Sequence, residues 1–455
     1  MRGGGARELT PSVAAAIKDR VADSMLLAAA SWSEEAVLPV ERYVTASGGP
    51  GPSRSWGSRA RLRPQAAALL NGTAARVLDY NDAFFGLDSS HPSDVIPAIV
   101  AVAEANTASF DAALSAIDVA YSVIVAFSEH VQSRTSGWDH ALTTGIGACC
   151  GVAALMGLDD AQAEDALAIL ATSSMTGRQT RASALTSWKA IAAPFSAARA
   201  IEACELAQYG AVGPLEPFLG PHGYLASACR GSYDEDGLLA ALDPRRGSVV
   251  GRTHLKLWPV GYLAHAALDA ARALHARRGG RALRSVRILT VDAAVDIMDS
   301  PEKRWPQTRE TADHSLAYSV VAVLQFGVIS STVFDPDEIA SNGVREIVRE
   351  RVDIVASQAF NARYPDEQPA RVEVAYADGS EDSEQVDCAL GHAQRPAGRE
   401  HLRAKFEQLF DGQDAFGGFR DELDGVRSVG DALDAFDRIM ESVVPVETRK
   451  QREEQ

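Results

Sequence analysis

With 455 residues, 46% of them hydrophobic and 23% charged, the chain can bury a large core and should form two domains rather than one. A formal net charge of -17 argues against a nucleic-acid binder or a protein of anionic membrane surfaces, so a site for an anion must carry its own local positive charge. Five cysteines without a C-x-x-C pair fit neither a disulfide framework nor the common zinc and iron–sulfur patterns.

The opening MRGGGARELTPS lacks the apolar core of a signal peptide, and no uninterrupted apolar run of membrane-spanning length stands out, so a cytoplasmic location is expected. Residues 8–45 read as helix, with Ile17, Val21, Ser24 and Met25 along one face, and residues 48–58 as a Gly/Pro/Ser loop. Residues 71–95, NGTAARVLDYNDAFFGLDSSHPSDV, start as helix through Ala74, Val77 and Leu78 and then turn polar at Asp79, Asn81 and Asp82. Gly86, Ser89, Ser90 and Pro92 end the helix and leave His91 on a loop. A carboxylate at a helix end facing a loop histidine suits proton transfer, because both groups can be tuned toward neutral pH. A plainer reading of the same residues is a polar turn in which Asp79 or Asp82 ties down backbone amides.

Beyond Val95 the pattern is dominated by helices. Asp111 is placed to cap a segment striped by Leu114, Ile117, Tyr121 and Ile124, and Asp159 with Gln162 spells a capping box for a helix through Ile169. Gly137-Trp138-Asp139-His140 sets a histidine where a loop enters a helix, a position for function or simply for a cap. Gly177-Arg178-Gln179-Thr180-Arg181 and Ser187-Trp188-Lys189 form a cationic cluster in an acidic chain. An arginine fork matches a carboxylate and a lysine adds a point charge, so this cluster can anchor an anionic substrate or make surface salt bridges. In the run from His254 through Lys256, Trp258 and Pro259, a turn precedes a helix that opens near His265, and lone histidines on Ala-rich helices are commonly structural.

The texture changes after His275. A charged joint, Ala276 to Arg281, is followed by strand patterns at Val286-Arg287-Ile288 and at 372–376, and Asp378-Gly379 before 383–386 signals a hairpin. Helical patterns at 313–326 and 341–351 lie between them, with His314 and Tyr318 spaced to share one face, as ligand donors or as a buried polar pair. The expected fold is mainly α: a large all-helical domain over 1–275, an inserted α+β lid domain over 276–398, and tail helices at 400–409 and 429–443 that return to the large domain before a polar end after Glu447.

In order and wording these stretches resemble the MmgE/PrpD family, which includes 2-methylcitrate dehydratase, cis-aconitate decarboxylase and an iminodisuccinate epimerase. The resemblance rests on NGTAARVLDYND with HPSDVIPAIVAVAE, on GWDHALTTGIGACCGVAALMGLD, on RQTRASALTSWK, on LKLWP followed by His265, and on TRETADHSLAYSV; YADGS, GHAQRP and LRAKF add support. It covers nearly the whole chain and implies a helical domain with a smaller α+β lid, usually a homodimer, working without metal or cofactor in the crevice between them. Carried over residue by residue, it implies Asp79, His91, His140, Lys189, His265 and Tyr318 as the catalytic set, with Arg178, Arg181, Lys256 and His314 as further substrate-binding candidates. His91 or His140 would act as base or acid, Asp79 would orient one of them, Lys189 and the arginines would hold carboxylates, and Tyr318 or His265 would protonate a leaving hydroxyl or a carbanion.

The chain departs from the dehydratase pattern in two places. Where those relatives usually read P-A-E-Y-H-S-Q, this chain has Pro259-Val260-Gly261-Tyr262-Leu263-Ala264-His265, and the acid usually found before the Trp-Lys pair is absent from Ala182 to Ser187. The expected function is a metal-independent lyase that dehydrates a hydroxylated carboxylic acid; a decarboxylase, an isomerase, a repurposed biosynthetic enzyme and a catalytically silent binding protein stand as alternatives. The expected partners are a small carboxylate and a second copy of the chain, with no nucleic acid and no membrane.

Overall fold

Proline sets the first helix boundaries. Pro11 opens helix Pro11–Ala30 behind the cap of Thr10, and Pro39 opens a separate helix, Leu38–Ser47, because a residue without an amide hydrogen costs nothing in a helix's first turn. The single helix expected over 8–45 is therefore two, and Ser31 turns the chain between them with its hydroxyl bonded to the Ala74 carbonyl at 2.5 Å. This computed structural model describes residues 8–230, 232–330 and 332–443, so the expected polar end after Glu447 lies outside the described residues.

The chain is mainly α-helical and divides into two compact units. The first comprises Met1–Thr180, Ala190–Thr253 and Gly398–Gln455, and the second Arg181–Lys189 with His254–Ala397. Helix His265–Arg278 thus belongs to the second unit, although the change of texture in the sequence comes only after it.

In the first unit, helix Phe110–His130 packs along Ala141–Met156, and Pro64–Val77 along Ile96–Ala105. Ser109, rather than Asp111, caps Phe110–His130 by accepting the Ala112 amide, while Asp159 and Gln162 form the expected capping box on Asp160–Ser173. Phe110–His130 is long and apolar enough to cross a membrane by length and composition, although Asp118 interrupts its apolar run, and 72% of its apolar window is buried inside the fold. The unit is not strictly all-helical: Ser53–Arg54 pairs with Arg61–Leu62, and Phe84–Phe85 with Ser89–Ser90. The second pair folds back the loop that carries His91. The tail adds Arg399–Leu409 and Val429–Val443, close to the expected bounds, and a short helix between them, Ala415–Glu422.

The second unit is built on a four-stranded sheet in the order Val352–Ala356, Leu283–Thr290, Ala370–Tyr376, Glu381–Val386. Leu283–Thr290 runs parallel to Val352–Ala356, pairing Val286 with Val352, and antiparallel to Ala370–Tyr376, pairing Val286 with Val374. Val286 and Ile288 alternate with exposed residues, so one face of the strand is core, and His265–Arg278 packs on Ala370–Tyr376, on Glu381–Val386 and on Leu316–Phe326. Strand Val352–Ala356 escapes the sequence pattern because it follows helix Val344–Arg351 without a turn residue between.

Candidate functional site

In the first unit the polar segment after helix Pro64–Val77 builds a buried network. The helix ends at Val77 and Asp79 takes a left-handed conformation, φ 49°, which Asp tolerates better than most residues and which reverses the chain into the Asn81–Asp82 turn. Arg76, inside the helix and fully buried, donates to the Asp79 carboxylate and approaches Asp94 Oδ1 at 3.7 Å. Asn81 donates to Asp94 Oδ1 at 2.9 Å and to Ser93 Oγ at 3.0 Å. Asp82 accepts the Ser93 amide and the Tyr121 hydroxyl, each at 2.9 Å. Burial pushes the Asp82 carboxyl above its usual value, against the pull of the nearby Arg20 guanidinium and of those hydrogen bonds.

This network holds two histidines. His91 lies before the short turn Pro92–Val95 and its Nδ1 is 2.7 Å from the Asp82 carbonyl oxygen. A carbonyl only accepts, so Nδ1 carries the hydrogen and, in the neutral ring, Nε2 carries the lone pair. His140 stands at the entry of helix Ala141–Met156, with Nε2 at 3.7 Å from Asp94 Oδ2 and Nδ1 at 3.5 Å from Asp139 Oδ1. The two imidazoles meet edge to face, centroids 5.1 Å apart.

A second cluster lies within the second unit. Lys189 Nζ donates to both oxygens of Asp313, at 2.6 and 2.7 Å, and Asp313 Oδ1 is 2.7 Å from His314 Nδ1; all three residues are buried. The Asp313 carbonyl accepts the Gly261 amide at 2.9 Å. A Cβ at Gly261 would lie 2.8 Å from Met298 Cε and 3.7 Å from His314 Cδ2. Gly261 is therefore close to the His314 ring, whose acid partner is Asp313. Beyond it runs a row of rings: His265 tilted against Tyr262 at 4.7 Å, Tyr262 stacked on His254 at 4.9 Å, and His254 on His392 at 4.3 Å. Burial pushes the Tyr262 phenol well above its usual value and the His392 imidazole below its own.

The sequence-predicted residues thus fall into two groups, Asp79, His91, His140 and Arg178 in the first unit and Lys189, His265, Tyr318, Arg181, Lys256 and His314 in the second. Arg178 and Arg181 share a single 3-10 turn, with Arg181 Nη2 at 3.2 Å from the Lys189 carbonyl. Lys256 is fully buried. His314 and Tyr318 do not share a helical face as expected: Leu316–Phe326 begins after the cap Ser315, so His314 precedes the helix. Tyr318 instead donates to the Val333 carbonyl at 2.9 Å and accepts from Asn342 at 2.8 Å, and burial pushes its phenol up. Asp79 is the orienting acid that the sequence suggests, but the groups set against the two imidazoles include the Asp82 carbonyl, Asp94 and Asp139. Asp94, Asp313 and Arg76 do not stand out in the sequence as site residues. For Arg76 a signal exists, a cation inside the apolar run Ala74 to Leu78.

Paired histidines backed by carboxylates in the first unit, and a buried lysine–carboxylate–histidine chain in the second, each have the composition of a proton-transfer site. The chain belongs to the MmgE/PrpD family: the family's N-terminal domain matches residues 5–236 and its C-terminal domain residues 258–415. It is 28% identical to the mitochondrial 2-methylcitrate dehydratase of Yarrowia lipolytica, over 76% of this chain and 70% of that protein. It is 26% identical to 2-methylcitrate dehydratase of Salmonella typhimurium, over 76% and 75%. Mouse (Mus musculus) cis-aconitate decarboxylase is 25% identical over 88% of this chain and 82% of its own length. Such relatives support an enzyme of the lyase type.

Proposed function

We propose that the chain is a metal-independent lyase that removes water from a hydroxylated carboxylic acid of the 2-methylcitrate class, with the His91–His140 pair handling the protons. The observation that carries this reading is the meeting of the two rings at 5.1 Å, one fixed as the Nδ1–H tautomer and the other set between two carboxylates. In this mechanism Nε2 of His91 takes the proton from the carbon next to a carboxylate. The electron pair of that C–H bond forms the carbon–carbon double bond, and the C–O bond breaks as His140 gives its proton to the departing hydroxyl, which leaves as water. A proton then regained by His140 meets Asp94 on one side and Asp139 on the other. The substrate class is taken from the names of the dehydratase relatives.

A decarboxylase reading rests on the cis-aconitate decarboxylase relative, 25% identical over 88% of this chain. One experiment separates the readings. Purified protein is incubated with 2-methylcitrate, citrate and cis-aconitate, and products are identified by mass. Loss of water supports the dehydratase, loss of carbon dioxide the decarboxylase, and rearrangement without mass change an isomerase. His91→Gln and His140→Gln should each lower turnover by roughly 10²- to 10⁴-fold. If no substrate reacts yet tricarboxylates raise the melting temperature, the chain is a binding protein that retains the fold.

A further inference from the structure

Behind His91 lies a buried charge cluster that takes no direct part in the proposed proton transfer. Lys405, on helix Arg399–Leu409 of the chain's tail, donates to Asp23 Oδ1 on helix Pro11–Ala30 at 2.5 Å and to the Tyr80 carbonyl at 2.9 Å. Its ammonium also lies 4.2 Å from the centroid of the Tyr80 ring. Two residues further on, the Asp82 carbonyl accepts the His91 Nδ1 hydrogen, while the Asp82 carboxylate is pinned by Ser93 and Tyr121. The segment Tyr80 to Asp82 is therefore gripped by Lys405 at one end and grips the His91 ring at the other.

The charged and titratable groups facing this segment include Asp23 and Arg20 from the first helix, Asp82 from the segment itself, Tyr121 from helix Phe110–His130, Lys405, His91 on the Asp82 carbonyl, and Arg76 and Asp94, both bonded to the Asn81 side chain. Arg20 donates to the Val250 and Thr253 carbonyls at 3.2 and 3.4 Å, and its positive charge also acts on the Asp23 and Asp82 carboxyls. Burial pushes the Asp23 carboxyl up and the Lys405 ammonium down, each opposed in part by the charge and hydrogen bond of its partner. Such a pair adds little net stability compared with well-packed apolar residues of the same volume; what an ammonium offers that a methyl group cannot is a directed bond to a carbonyl.

We propose that Lys405 and Asp23 are positioning residues for His91: their ion pair clamps the Tyr80 carbonyl and thereby fixes the Asp82 carbonyl that selects the Nδ1–H tautomer. The proposal rests on the reading of His91 as a proton-handling group, and its test reads the ring directly, apart from turnover. In full-length protein labelled with ¹⁵N and ¹³C at histidine, the His91 signals are assigned by their loss in His91→Gln. The wild-type ¹⁵N shifts should report Nδ1–H. Lys405→Met should shift His91 toward a mixture of tautomers and lower kcat roughly ten- to hundredfold with KM little changed, whereas Lys405→Arg, which restores a cationic donor, should recover the wild-type spectrum. Asp23→Asn should move the same signals in the same direction by less, and it carries the test if Lys405→Met does not fold. Unchanged His91 shifts in whichever of these two variants folds would overturn the clamp. If the shifts move while His91→Gln retains turnover, the clamp stands and the assigned role of His91 fails.

Discussion

Lys189 and Asp313 form a bidentate ion pair with almost no contact with water, which makes each residue's burial conditional on the other. Lys189→Met removes the cation and leaves the buried Asp313 carboxylate with only the His314 ring in place of an ammonium among the contacts described above, a change worth about 3–5 kcal/mol of stability. Adding Asp313→Leu removes the stranded charge and should recover most of that loss. Urea unfolding midpoints of the single and double variants measure the difference, and a double variant no more stable than Lys189→Met would dismiss the coupling. Asp82 makes an opposite kind of prediction. Burial dominates and raises its carboxyl from the ordinary 3.8, so the native state binds that proton more tightly than the unfolded chain does. Its contribution to stability is accordingly complete below the ordinary value and is lost as pH rises through the raised one. Asp82→Asn, which cannot ionise, should flatten the decline in melting temperature as pH rises above the ordinary value of 3.8, measured by calorimetry in steps of pH.

Helix contacts in the first unit depend on positions that lack side chains. On Ala141–Met156, a Cβ added at Gly151 would lie 2.8 Å from the Ala116 carbonyl oxygen and 2.9 Å from Ile99 Cδ1, and a backbone atom on a neighbouring helix cannot give way cheaply. At Gly145 of the same helix the nearest atom is the Ser196 hydroxyl at 3.2 Å, the end of a side chain that can rotate. Gly151→Ala should therefore cost about 1–3 kcal/mol despite the better helix propensity of alanine. Gly145→Ala should be neutral or slightly stabilising, and thermal melts that reverse this order would refute the packing argument. Elements of this kind are legible in the sequence where local chemistry decides them, as with the Asp159 capping box and the turn at Asp378-Gly379 between strands Ala370–Tyr376 and Glu381–Val386. They are illegible where partners distant in sequence decide them. Leu316–Phe326 starts after Ser315 because the Ser315 hydroxyl accepts the Tyr318 amide and bonds the Lys303 carbonyl, which periodicity alone does not predict. The same holds at the candidate site. His91 and His140 stand out as histidines on loops, but Asp94 and Asp313 acquire meaning only when folding brings them to a ring or an ammonium.

At the scale of the whole molecule the governing quantity is the net charge of -17. A polycarboxylate approaching such a surface is repelled at long range, although buried cations such as Arg76, Lys189 and Lys405 lie within the protein. Those cations are matched by carboxylates, Asp79, Asp313 and Asp23 respectively, and project little net field into solvent. Long-range repulsion therefore outweighs local attraction until the ligand is near its site. Screening acts mainly on the long-range part, since the Debye length shrinks from about 30 Å at 0.01 M to about 8 Å at 0.15 M salt. Consequently kcat/KM for a tricarboxylate should rise as salt increases over that range, with most of the change in KM, and a monocarboxylate should respond less. Initial rates at constant pH with an inert salt such as potassium chloride provide the measurement. A kcat/KM that falls steadily with salt would show instead that an exposed cationic funnel steers the substrate, and would direct attention to Arg178 and Arg181, which are only half-buried on their shared turn.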